Sequence, residues 1–181
     1  TYPVLSGFKW QKDYIAVTTT PITPGQLLAG QLLWVGLRLT WSTAAYLAIA
    51  ACFGALSGPA VLLALPVAVL TALACAAPVM GYAACIRNEG QAFNALFRFV
   101  LVPMVLFAGT FFPVSSLPVF VQPVAWVTPL WHGTELARAV SFGGAFGLGP
   151  LSVLGHLAYL LAWFVAGVLF ARARFYHRLV S

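Results

Sequence analysis

Charge is what this sequence lacks. Only three acidic residues, Asp13, Glu89 and Glu135, occur among 181, and charged residues of both signs make up 7%, against about 25% in a soluble domain. A water-facing surface cannot be built from so few, which excludes a soluble globular protein. The same shortage removes most acid–base chemistry, because three carboxylates at positions 13, 89 and 135 offer no paired general acid and base. Cysteine is scarce too. Cys52, Cys75 and Cys85 are odd in number, lie inside apolar runs, and have the spacing of neither a disulfide framework nor a metal site; they read as small buried hydrophobes. No Walker motif, nucleophile elbow or glycine-rich phosphate loop is present, so this chain does not itself hydrolyse ATP.

What is present is apolar. Hydrophobic residues make up 62% of the chain and the mean hydropathy is +0.96. This describes an all-α integral membrane protein, a polytopic helix bundle forming one domain over residues 1–181. Four runs reach spanning length, 27–53, 60–86, 92–112 and 148–171, given that a span takes about 20 residues. Pro66 and Pro78 are expected to kink the second. Small residues such as Gly30, Gly36, Ala72 and Ala76 let membrane helices approach closely.

The net charge of +6 is no nucleic-acid signal, because the basic residues border apolar runs. Lys9, Lys12, Arg87, Arg172, Arg174 and Arg178 fall on one side of a four-span topology, and Arg138 alone on the other. The positive-inside rule puts both ends of this chain in the cytoplasm of a cell inner membrane. Thr1 is no initiator and no signal peptide opens the chain, so the numbering is expected to begin inside a longer protein. Residues 1–25 are the polar part. Trp10 and Tyr14 share one helical face there, and Thr23 with Pro24 reads as an N-cap followed by proline at the first helical position.

The stretch 102–138, VPMVLFAGTFFPVSSLPVFVQPVAWVTPLWHGTELAR, breaks the pattern. Pro113, Pro118, Pro123 and Pro129 forbid one straight helix, yet Phe120, Trp126 and Trp131 keep the segment apolar. Broken backbone at membrane depth is tolerated only where protein or a water-filled cavity surrounds it. A re-entrant helical hairpin over 113–142 on the external face fits both facts. Pro113 is expected to end the third span at Phe112, with Phe120, Trp126 and Trp131 holding the returning segment against the spans.

"FAGTFFPVSSLP" followed by "VTPLWHGTELAR" resembles the last third of type-2 ABC export permeases, in the branch of nodulation lipo-oligosaccharide exporters and daunorubicin-type drug exporters. The resemblance implies a permease subunit working as a dimer, identical or homologous, with two separate ATPase subunits that bind ATP and Mg. It implies an amphipathic or lipid-linked cargo, no cofactor in this chain and no nucleic acid. It also implies that residues 12–20 are a cytoplasmic coupling helix, with Lys12, Asp13, Tyr14, Ile15 and Thr18 against the ATPase, and that the family's first two spans are missing ahead of it. Pro113, Pro118, Phe120, Trp126, Pro129, Trp131, Glu135 and Arg138 would form an extracellular gate.

Four charged residues stand out toward the cytoplasmic side: Arg38, Arg87, Glu89 and Arg98. A charge at the centre of a span costs roughly 2.5–3.5 kcal/mol on insertion scales. Snorkelling to the interface and an Arg–Glu pairing near Glu89 account for these better than a substrate role. His132, Glu135 and Arg138 recur at i, i+3 and i+6, which suits a structural Glu135–Arg138 bridge; a metal or hydrolytic site would need further ligands. An intramembrane transferase and a non-transporting scaffold remain the alternative readings, and co-purification of an ATP-binding subunit discriminates between them and an exporter.

Overall fold

The computed structural model describes residues 23–54, 58–86, 89–111, 113–142 and 149–180, and every regular element among them is helical. The first, α1, runs Pro24–Cys52. Thr23 caps it as expected, and the cap is a reciprocal box. The Thr23 hydroxyl accepts from the Gln26 N–H at 3.3 Å, and the Gln26 carbonyl oxygen accepts from the Thr23 N–H at 2.8 Å. Two of the N–H groups that a helix start leaves orphaned are thereby satisfied. The helix ends at Phe53, followed by Gly54 at φ 67°.

A 3-10 turn over Pro59–Leu63 leads into α2, Ala64–Cys85. Pro78 lies inside α2. Pro66, also expected to kink the run, falls instead in the first turn, where a helix has N–H groups without intrahelical partners anyway. Next comes an interrupted helix: α3 over Glu89–Leu96, a π segment over Phe97–Leu101, and α4 over Val102–Phe107. A 3-10 turn at Val114–Ser116 follows, then α5, Gln122–Val127, and α6, Pro129–Phe142. The last element, α7, runs Pro150–Val180.

Three helical stretches, Pro24–Cys52, Ala60–Cys85 and Leu151–His177, are long and apolar enough to cross a membrane. The run expected as a further span contains the shorter apolar stretch Asn94–Phe107, which rises about 21 Å against a hydrocarbon core of about 30 Å.

The packing centres on α2. It lies parallel to α7, with Gly81 under Phe170 and Ala171 and Gly167 under Ala77 and Pro78. Antiparallel to it, α1 meets α2 where Gly36 faces Leu73. One core cluster joins Leu28, Met80, Ala83, Ala84, Ala171 and Phe175 at one end of the bundle. The other joins Ala74, Leu136 and Leu160, and so brings α6 into the interior between α2 and α7. Glycine at 133 is what permits this, because its backbone lies against the Thr71 side chain of α2.

Away from these seams the helices present bare hydrocarbon. Along α1 only Leu28 is buried, while Trp41 is 80% and Phe53 84% exposed. A surface this apolar is at home in a bilayer and would aggregate in water. Hydroxyls on these helices bond back to their own carbonyls, Thr40 to Gly36 at 2.8 Å and Thr71 to Val67 at 2.7 Å. No polar hydrogen is thereby left facing hydrocarbon at either threonine.

Candidate functional site

The site is built where α4 stops. The helix ends at Phe107, short of the Phe112 end expected from Pro113, because Gly109 takes φ 78° and turns the chain left-handed. That conformation is open to glycine and strained for other residues. Gly109 is enclosed by Val114, Trp131 and Arg138, so the turn is also a contact.

Helix α6 satisfies the carbonyls this turn exposes. The Arg138 guanidinium donates to the Gly109 carbonyl through Nη2 and to Glu135 Oε1 through Nη1 at 3.0 Å. The Thr134 hydroxyl, bonded back to Leu130 at 2.6 Å, lies 3.1 Å from the Ala108 carbonyl. The Glu135–Arg138 bridge expected from the i, i+3 spacing is therefore present, and it does more than expected: it ties the start of the hairpin to its end.

The prolines punctuate the hairpin in different ways. Pro113 precedes the 3-10 turn and Pro118 the tip, both exposed. Gln122 closes the tip by donating to the Leu117 carbonyl at 3.0 Å. Pro129 is buried at the first position of α6, behind Thr128, whose hydroxyl oxygen accepts from the Trp131 N–H at 3.4 Å. The three aromatic residues expected to anchor the segment divide. Trp131 packs at Gly109, Trp126 is 48% exposed, and Phe120 at 80% exposure stands clear at the tip. An apolar side chain between two prolines at a turn has nothing of its own chain to reach.

Beneath the hairpin lies a polar seam that spacing did not reveal. His132 of α6 and His156 of α7 meet Nδ1 to Nδ1 at 2.7 Å, 24 residues apart. His132 Nε2 lies 2.9 Å from the Trp126 carbonyl, and the Tyr159 ring stacks on His132 with centroids 3.9 Å apart. The Tyr159 hydroxyl in turn donates to the Val127 carbonyl at 2.5 Å. Burial, and secondarily the neighbouring His156, hold the His132 imidazole below its usual pKa, against the raising effect of the Trp126 carbonyl. Among the described residues no three metal-ligating side chains gather. With Glu135 held by Arg138, the arrangement positions α5 and α6 against α7.

Of the four charged residues expected toward the cytoplasmic side, Arg38 and Arg98 have described side chains. Arg38 is exposed on α1, and Arg98 is exposed in the π segment. Among the described residues neither makes an ion pair. Glu89 opens α3 without a described side chain, and Arg87 lies outside the described residues. So do Lys12, Asp13, Tyr14, Ile15 and Thr18 of the expected coupling helix. Between α2 and the interrupted helix lies a cavity of about 220 Å³, lined among others by Cys75, Pro78, Val100, Met104, Pro129 and Trp163. Its walls are almost wholly apolar.

Comparison with known proteins bears on the same segments. The family model described as ABC-2 type transporter matches residues 5–142. Nodulation protein J of Rhizobium meliloti (strain 1021) is 28% identical over 99% of this chain and 66% of its own length. Nodulation protein J of Sinorhizobium fredii (strain NBRC 101917 / NGR234) is 35% identical over 84% of this chain and 60% of its own length. A probable multidrug ABC transporter permease of Escherichia coli (strain K12) is 32% identical over 29% of the chain. The chain thus spans about two thirds or less of these relatives. No solved structure matches significantly.

Proposed function

Because the chain belongs to the ABC-2 type transporter family, we propose that it is the transmembrane permease of an ATP-driven exporter, paired with a second permease and served by two ATPase subunits. The observation that carries this reading is the extent of the family match, which runs from the polar N-terminal segment through the proline-rich hairpin to the end of α6. ATP binding would close the ATPase pair, and residues 12–20 would pass that push to the spans. The interrupted helix from Glu89 to Phe107 would be a fourth crossing, about 28 Å long if α-helical throughout. Both ends of the chain would then face the cytoplasm, and α5–α6 would form the external, re-entrant gate.

The cargo we infer is amphipathic or lipid-like: a drug, glycolipid or lipo-oligosaccharide. Supporting this, the cavity beside the interrupted helix presents an almost wholly apolar surface. An ion would need oxygen ligands or a charged ring along its path. The direct test is ATP-dependent accumulation of such a cargo in inverted vesicles holding the whole complex. Failure of an ATPase subunit to co-purify would overturn the reading.

Two expectations follow for topology and coupling. In a background lacking the native cysteines, single cysteines at Gln11 and Ser181 should be shielded from an impermeant thiol reagent in intact cells, and one at Ser141 should react. The opposite pattern sinks the orientation. An Ala16→Pro substitution, which breaks a helix by about 3 kcal/mol, should abolish cargo-stimulated ATP hydrolysis without lowering the amount of permease in the membrane. Unchanged stimulation would remove residues 12–20 from the coupling path.

A further inference from the structure

What the two imidazoles beneath the hairpin can do follows from counting their protons. The Trp126 carbonyl can only accept, so the hydrogen in its 2.9 Å contact sits on His132 Nε2. In a neutral ring Nδ1 is then an acceptor, and His156 Nδ1, 2.7 Å away, must be the donor. His156 Nε2 is left bare and takes a first added proton without disturbing the contact. A second has to enter at His132 Nδ1, where it sets two N–H groups head to head at a distance that only a donor and an acceptor can share. Two positive rings would also repel in a half-buried site of low dielectric.

What faces the pair offsets this only in part: the Glu135 carboxylate attracts a charge on His156, the ring that takes the first proton, and is shared with Arg138. From α6 come Glu135 and Arg138, already engaged with each other at 3.0 Å. From α7 comes Tyr159, whose hydroxyl is committed to Val127. The end of α5 brings the Trp126 carbonyl, and the turn after α4 the Ala108 and Gly109 carbonyls. From α2, Thr71 lies against Gly133 and Ala74 against Leu136, and neither side chain carries a charge. The Tyr159 ring stacked on His132 favours a charge there only weakly against two N–H groups set head to head, so the first proton leaves the contact standing and the second does not.

We propose that the His132–His156 pair is a proton-operated latch, closed with no or one added proton and opened by two, which releases α5–α6 from α7 in acid. Closure holds the end of α5, through Trp126 and Val127, and the first turns of α6 on one face of α7. Opening leaves the hairpin attached by its apolar contacts, Leu136 on Ala74 and Leu160. Seating takes up fewer protons than the free hairpin does. It is therefore strongest above the ordinary imidazole pKa of about 6.5 and is lost as pH falls through the lowered value of His132. The latch rests on the gate reading only for its consequence in transport; the seating itself is independent of cargo and ATP.

The test is hydrogen exchange on the whole chain in lipid nanodiscs, following peptides within 122–142 at about pH 7.5 and about pH 5, corrected for the intrinsic pH dependence of exchange. In the wild type, protection should fall in acid by about tenfold per pH unit of difference between seated and free imidazole pKa. His156→Gln keeps a donor and an acceptor but does not titrate, and its protection should stay constant. Unchanged protection in the wild type, or a parallel loss in His156→Gln, overturns the latch. Should that variant fail to fold, nitrogen-15 shifts of the two wild-type rings decide. Double protonation of both rings with protection intact overturns the latch, and double protonation coinciding with its loss supports it. Loss of cargo transport with the exchange pattern intact would count against the exporter reading alone.

Discussion

Gly167→Val is expected to cost most of the recoverable protein. A Cβ at this position would stand 2.6 Å from Pro78 Cδ and 3.0 Å from both Ala77 Cβ and the Pro78 nitrogen. None of these atoms can rotate away, since they belong to a proline ring, a methyl stub and the backbone. The helices would have to separate, and separation loosens the neighbouring contacts along the seam, Gly81 with Phe170 and Ala171 and the cluster around Phe175. Overpacking typically costs about 1–3 kcal/mol, and here two branched methyls add to the first carbon. Membrane helices gain little from hydrophobic burial against each other, so lost close packing is poorly replaced. Gly30→Val is the control, because nothing lies within 4 Å of its Cβ position. Equal yield and equal melting temperature for the two variants would show that the α2–α7 seam is not close-packed.

Arg138→Ala should have the second largest effect, larger than Glu135→Gln. Arg138 holds two partners, the Glu135 carboxylate and the Gly109 carbonyl. Its removal leaves both unmatched in a site where the two side chains keep about a fifth of their surface exposed. Breaking a buried pair costs about 3–5 kcal/mol, and this exposure reduces the expectation to about 2 kcal/mol. Glu135→Gln retains an acceptor for Arg138 and leaves the Gly109 bond intact, so a loss of under about 1 kcal/mol is expected. Arg138→Lys should not restore the wild type, because one ammonium lacks the fork that serves two acceptors in different directions. Thermal unfolding of the three variants measures the order, and an equal loss for Arg138→Ala and Glu135→Gln would show that the Gly109 carbonyl contributes nothing.

These two sites were unequally legible in the sequence. The long apolar stretches needed only a count of residues, and three of them are helices of spanning length. The Glu135–Arg138 bridge was legible because i, i+3 on one helix brings side chains together whatever surrounds them. The end of α4 was not. Pro113 is the louder signal, and Gly109 is hidden in the apolar run FAGTFF, where only its left-handed backbone reveals the stop. The cap at Thr23 and Pro24 was found without its other half at Gln26. The sequence offers His156, within a span, as a further imidazole, but its contact with His132, 24 residues away, is not legible from spacing. That contact depends on which face of α6 lies along α7, a choice set by Gly133 fitting against Thr71 and Leu136 against Leu160. A periodicity describes one helix, and the pairing of faces belongs to two.

The π segment at Phe97–Leu101 has an arithmetic consequence. A wide turn carries one residue more than an α-helix would use for the same advance, so the chain behaves there as though it held a single-residue insertion. Everything on its far side is rotated by roughly 100°, the angle that one α-helical residue subtends. Asn94, Ala95 and Leu96 therefore face a direction that counting back from Val102–Phe107 would assign to a different side of the rod. Deleting one residue inside the segment would not shorten this helix so much as turn its two halves against each other, like a combination lock moved by one digit.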